Sequence, residues 1–121
     1  MNSNYIKNLV LSDNNNKLVI YFINNVYDCD KKDLTKINFR LHLLCYDLYK
    51  QIEVNDILKN DNDSYTLFFD IDYNFIDNNT VILVELVNVL DYNYNFLKSY
   101  QNNNSINIHY TKNYKPYNVN T

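Results

Sequence analysis

Residues 33–60 read DLTKINFRLHLLCYDLYKQIEVNDILKN, and the fold class turns on how this stretch is paired with itself. As a helix, Leu34, Ile37, Leu41, Leu44, Leu48 and Ile52 recur at spacings of three and four, with Asp33 as an N-cap. Phe39, Tyr46 and Tyr49 then fall off the apolar stripe and spoil its polar face. As a strand, Phe39, Leu41, Leu43 and Cys45 take one face while Asn38, Arg40 and His42 take the other, the period-two pattern of a half-buried sheet. The strand reading includes a turn at Asp47–Lys50. It makes the protein all-β; the alternative is an α+β fold with a helix near 33–52.

The flanking chain favours strands. Polar clusters recur at 12–17 (SDNNNK), 28–33 (DCDKKD), 60–64 (NDNDS), 77–80 (DNNT), 91–95 (DYNYN) and 101–105 (QNNNS). Between them lie β-branched and aromatic runs, the rhythm of an antiparallel β-sandwich. In SYTLFFDID, Tyr65, Leu67, Phe69 and Ile71 face inward, with Thr66, Asp70 and Asp72 outward. KLVIYFIN and TVILVELVNVL are apolar on both faces, as central strands are. NFLKSY is expected as a returning strand that carries Lys98 and Tyr100. INIHY at 106–110 is expected as the last strand, with Ile106, Ile108 and Tyr110 on one face. The expected domain is a single sandwich over 1–111, followed by a tail over 112–121.

The 121 residues include no glycine and no tryptophan; alanine is absent and Arg40 is the sole arginine, while asparagine fills about a fifth of the chain. The scarce residues have G- or C-rich codons and the abundant ones A- and T-rich codons. This coding style is similar to that of AT-rich genomes, among them large DNA viruses of insects or amoebae and AT-rich protists and bacteria. Without glycine, the chain is expected to turn on Asn and Asp, which tolerate positive φ and hydrogen-bond their own backbone. Asn79 and Asn93 are the expected left-handed positions. The net charge of −3 gives no field for nucleic acid or anionic membranes. No stretch has the length of a membrane span or a signal-peptide core. Cys29 and Cys45 do not make a disulfide framework. These features predict a cytoplasmic protein, in the host cytoplasm if viral, with reduced thiols.

The order LVIYFINN, INFRLHLLCYDLYKQI, NDSYTLFFDID and NTVILVELVNVLDYNYNFLKSY resembles an immunoglobulin-like or fibronectin-type β-sandwich over about residues 17–101. Its rhythm is similar to that of the accessory Ig-like domains of some glycoside hydrolases. Those domains have glycine in turns where this chain has Tyr49 and Asn93, and they carry no catalytic motif. The resemblance implies a scaffold for contacts.

For nucleophilic chemistry, His42 and Cys45 are near neighbours, but on a strand they point to opposite faces. Cys29, Cys45, His42 and His109 lack metal-ligand spacing. Asp70, Asp72, Asn74 and Asp77 echo the start of a calcium loop, but Phe75 stands where that loop needs glycine and Val81 where it needs a bidentate Glu. Asp28, Asp30 and Asp33 form a second acidic set. Both read as acidic loops, and no cofactor is expected. The tyrosines are the strongest functional signal. Tyr92, Tyr94, Tyr100 and Tyr110 are the candidate binding residues, with Tyr114 and Tyr117 further on. Exposed tyrosines suit protein interfaces. The expectation is a non-enzymatic protein–protein interaction module, such as a viral host-interaction or particle-associated protein. Self-association through strand edges is open. The alternative is a carbohydrate-binding module that uses the exposed tyrosines.

Overall fold

A computed structural model describes residues 4–72, 77, 79–98 and 103–108. Within them the chain forms β1 (Ile6–Leu11), β2 (Lys17–Phe22), a short 3-10 turn (Lys36–Asn38), β3 (Phe39–Cys45), β4 (Leu48–Ile52), β5 (Asp56–Asp61), β6 (Ser64–Phe68), β7 (Val81–Leu86) and β8 (Asn103–Asn107). Two four-stranded sheets result, in the orders β1-β2-β6-β5 and β4-β3-β7-β8. Every pairing is antiparallel. The fold is an all-β sandwich.

The stretch at 33–52 is therefore a 3-10 turn and two strands, which overturns the helical alternative. Burial explains the outcome. Phe39, Leu41, Leu43 and Cys45 are all nearly covered, and Leu41 is 0% exposed. Full burial of an aliphatic or aromatic side chain contributes about 1.5–3 kcal/mol. The helical stripe would have needed Ile37 and Leu48 inside, yet they are 82% and 53% exposed. The turn comes at Tyr46–Asp47, one residue earlier than the spacing suggested, and Leu48 already pairs with Cys45.

Between the sheets lies one apolar core, to which all eight strands contribute. Leu18, Ile20 and Phe22 of β2 meet Tyr65 and Leu67 of β6 on one side. Leu41 and Leu43 of β3 meet Val84 and Ile82 of β7 on the other. Phe69 and Ile71 continue the inward alternation beyond β6, as expected. Thr66 faces outward beside Val19 and Leu58 of the adjoining strands but is 7% exposed, and its hydroxyl accepts Asn60 Nδ2 at 2.8 Å. β2 is central, yet only one of its faces is buried: Val19 is half-buried and Tyr21 exposed. The last strand begins at Asn103 instead of Ile106 and pairs with β7. Of the expected returning strand NFLKSY, Phe96 pairs with Leu90 as an isolated bridge and Leu97 N–H donates to the Val89 carbonyl at 3.0 Å, so residues 95–98 make a return but no named strand; residues 99–100 lie outside the described residues. The tail at 112–121 lies outside the described residues.

The turns correct the expectation of asparagine at each left-handed site. Five described residues take positive φ: Asn15, Lys31, Tyr46, Asn88 and Tyr94, with φ of 57°, 66°, 55°, 56° and 65°. Asn79 and Asn93 are not among them. In the loop at 91–95 the left-handed residue is Tyr94, and the acid that opens the loop does the capping. Asp91 Oδ1 accepts the N–H groups of Asn93 (2.8 Å) and Asn95 (3.0 Å). Asp28 Oδ1 likewise accepts from Asp30 (2.8 Å) and Lys32 (2.9 Å), and Ser12 Oγ from Asn16 and Lys17. In each loop the third residue on, Asn15, Lys31 or Tyr94, donates its N–H back to the opening carbonyl. These are short hairpin loops closed by a left-handed residue, capped by an Asx- or Ser-type side chain in the absence of glycine.

Candidate functional site

The loops at 28–32 and 91–95 belong to the β2–β3 and β7–β8 connections, and the fold sets them side by side. Tyr27 and Leu90, each just before its capping Asp, exchange backbone hydrogen bonds of 3.0 and 2.7 Å. Further along, Val87 N–H donates to the Asn38 carbonyl at 2.8 Å, and Asn38 Nδ2 donates to the Val87 carbonyl at 3.0 Å. Asn38 is buried, so this side chain ties the two connections from inside.

Tyr5, just before β1, is a third tie. Its hydroxyl donates to the Asn25 carbonyl at 2.9 Å and accepts the Tyr92 N–H at 3.2 Å. One buried phenol thus anchors both connections. Burial pushes its pKa up to about 12, against the lowering effect of the Tyr92 N–H. Burial also raises Tyr65, whose hydroxyl accepts the Leu34 N–H.

On this base stand three exposed aromatic side chains. Tyr92, Tyr94 and Phe96 are 51%, 48% and 60% exposed. The Tyr27 and Tyr94 rings pack at 5.1 Å between centroids, tilted by 53°. Lys31 Nζ stands 4.8 Å from the Tyr94 ring centre, a cation–π contact that links the two loop tips. The left-handed backbone of Tyr94 costs a side chain with a Cβ about 1–3 kcal/mol. Its surroundings fix that conformation through the Asp91 cap and the contacts to Tyr27 and Lys31.

Of the four expected tyrosines, Tyr92 and Tyr94 stand exposed on the loop at 91–95, and Tyr94 packs against Tyr27 and Lys31; Tyr100 and Tyr110 lie outside the described residues. Tyr27, Lys31 and Phe96 were missed. The related spellings DCDKK and DYNYN were a usable signal for twin loops, but nothing local says that the loops meet. A second exposed group, Tyr46, Leu48 and Tyr49, stands at the β3–β4 turn.

His42 and Cys45 do lie on opposite faces: Cys45 is buried, and its Sγ donates to Asp77 Oδ1 at 3.4 Å. Asp33 binds Lys59 at 2.8 Å, raising the lysine, and Asp28 caps its own loop. Asn74 of the first acidic set is outside the described residues. Among the described residues no three His, Cys, Asp or Glu side chains gather as metal ligands, and no helix is long and apolar enough to cross a membrane. Comparison of the chain with protein-family models, with curated proteins and with solved structures finds no match in any of the three.

Proposed function

We propose that the chain is an immunoglobulin-like sandwich that acts as a non-enzymatic protein–protein interaction module and binds through the paired loops. The strand orders β1-β2-β6-β5 and β4-β3-β7-β8 support the type. Lettered A to G along the chain, with β4 as C′, they read A-B-E-D and C′-C-F-G. The paired connections are then B–C and F–G, which carry binding loops in immunoglobulin variable domains.

The observation that carries the proposal is the exposed Tyr92, Tyr94 and Phe96 on loops locked from beneath by Asp28, Asp91 and Tyr5. Rigid aromatic side chains bury much area on binding at small entropic cost, and pre-organised loops lose less freedom still. A sugar platform would present a free ring face, whereas Lys31 occupies one face of Tyr94 and Tyr27 packs tilted beside it. This favours a protein partner over a carbohydrate.

The test is affinity capture from lysate of the native cell with the wild type and with Tyr92→Ser/Tyr94→Ser, both matched for circular dichroism, followed by calorimetric titration of the captured partner. Hot-spot tyrosines at an interface centre contribute about 2 kcal/mol or more each, so the variant should bind at least about tenfold more weakly. Equal affinity for both proteins rejects the loop site.

A further inference from the structure

On the outer face of the second sheet three polar side chains from three strands form a continuous hydrogen-bonded chain. The strand register places His42 of β3 opposite Gln51 of β4 and Leu83 of β7. His42 reaches diagonally past both, to Tyr49 on one side and Glu85 on the other. His42 Nδ1 lies 2.6 Å from Tyr49 Oη, and Nε2 lies 2.8 Å from Glu85 Oε1. The Tyr49 ring stacks on the imidazole with centroids 5.6 Å apart and planes 28° off parallel. The imidazole is largely covered, its side chain 13% exposed, while Tyr49 is 58% exposed. Arg40 Nη1 stands 4.0 Å from Glu85.

The partners assign the protons. An ionised carboxylate only accepts, so Nε2 carries the hydrogen and donates to Glu85. In the neutral imidazole, Nδ1 then presents a lone pair, and Tyr49 O–H donates to it. The order hydroxyl, imidazole, carboxylate is that of an activated nucleophile: the base sits within reach of the O–H and is itself oriented by a third group.

We propose that Glu85, His42 and Tyr49 form a triad that makes Tyr49 a nucleophilic acceptor for activated acyl groups. Tyr49 Oη forms the new C–O bond at the acyl carbon. The bond from that carbon to its leaving group breaks, and the electron pair departs with the leaving group. The phenolic proton passes to His42 Nδ1, and the resulting imidazolium is held against Glu85 until it yields the proton to solvent. Glu85 acts through His42 and is a positioning residue. The site lies on an open sheet face, so it takes one acyl group per chain and does not turn over.

The experiment is acetylation with N-acetylimidazole near neutral pH, with each tyrosine followed by peptide mass spectrometry over time. Tyr46, 75% exposed, and Tyr92, 51% exposed, are internal controls of similar or greater accessibility. General base assistance contributes about a hundredfold or more in formed sites. On this open face Tyr49 is expected to acetylate at least about tenfold faster than Tyr46 and Tyr92. His42→Phe should bring Tyr49 down to the rate of Tyr92, and Glu85→Gln should slow it several-fold while Tyr46 and Tyr92 keep their rates. If Tyr49 reacts no faster than the controls in the wild type, or keeps its advantage in either folded variant, the proposal is overturned. Should His42→Phe fail to fold, the Glu85→Gln comparison decides.

Discussion

Removing the hydroxyl of Tyr5 should change both the stability of the protein and its response to alkali, and the two effects have opposite consequences. Tyr5→Phe leaves the Asn25 carbonyl and the Tyr92 N–H without the partner they share, at 2.9 and 3.2 Å. Orphaning such partly buried groups costs about 1–3 kcal/mol, so the variant should be less stable near neutrality. Alkali acts on the wild type through the raised pKa. Burial pushes the folded phenol up to about 12, against about 10 for a tyrosine in the unfolded chain. Between those values the unfolded chain has lost the proton and the folded chain has kept it. Stability is therefore fully present below about pH 10 and is lost as the pH rises through the folded value. With those two pKa values, Tyr5 alone removes about 1.4 kcal/mol of stability between about pH 8 and about pH 11.

The assay is urea unfolding followed by circular dichroism, on wild type and Tyr5→Phe at both pH values. Lysines and the other tyrosines, Tyr65 included, titrate in both proteins and cancel in the difference of differences. The alkaline loss in the wild type should exceed that in Tyr5→Phe by about 1 kcal/mol or more. The gap between the two proteins should therefore narrow with rising pH. An equal alkaline loss would refute the claim that burial holds this phenol protonated, and with it the anchoring role given to Tyr5.

Three further substitutions test the loops and the core. Asp91→Ala removes the acceptor for two N–H groups of its loop and should lower stability by about 1–2 kcal/mol in thermal melts, whereas Asn93→Gly, at a residue without positive φ, should bring no stabilisation. Leu41→Ala, at a fully buried site between the sheets, should cost about 2–5 kcal/mol in urea unfolding; a loss below about 1 kcal/mol would contradict its place in the core.

Much of the sandwich could be read along the chain because the signals are short-ranged. The alternation Phe39-Leu41-Leu43-Cys45 and Tyr65-Leu67-Phe69-Ile71 needs only the two-residue period of a strand and a wet side opposite a dry one. The helical alternative failed because Ile37 and Leu48 belong to no shared buried face, a comparison that requires knowing what else covers them. β8 was misplaced for a related reason. Asn103 and Asn104 have little strand propensity, and they pair because Glu85 and Val84 of β7 lie beside them.

The candidate sites divide in the same way. That Tyr92 and Tyr94 stand on a polar turn is legible in DYNYN; that Tyr27 and Lys31 pack against Tyr94 is not, since the Tyr27–Leu90 pairing spans two distant connections. Left-handed positions were also misjudged. Asparagine tolerates positive φ best after glycine, but a cap from Asp91 and a packed ring impose it on Tyr94 instead. The triad lay hidden too, its members seven and forty-three residues from His42 in sequence.

What the chain settles locally is the set of strands with one wet and one dry face, and loops that Asp, Asn and Ser close on their own backbone, because those interactions reach only a few residues. Which strands are neighbours, which loops touch and which side chains meet across a sheet follow from register. Register is chosen by burial of the whole core at once, since a slip of one residue would turn every buried side chain outward.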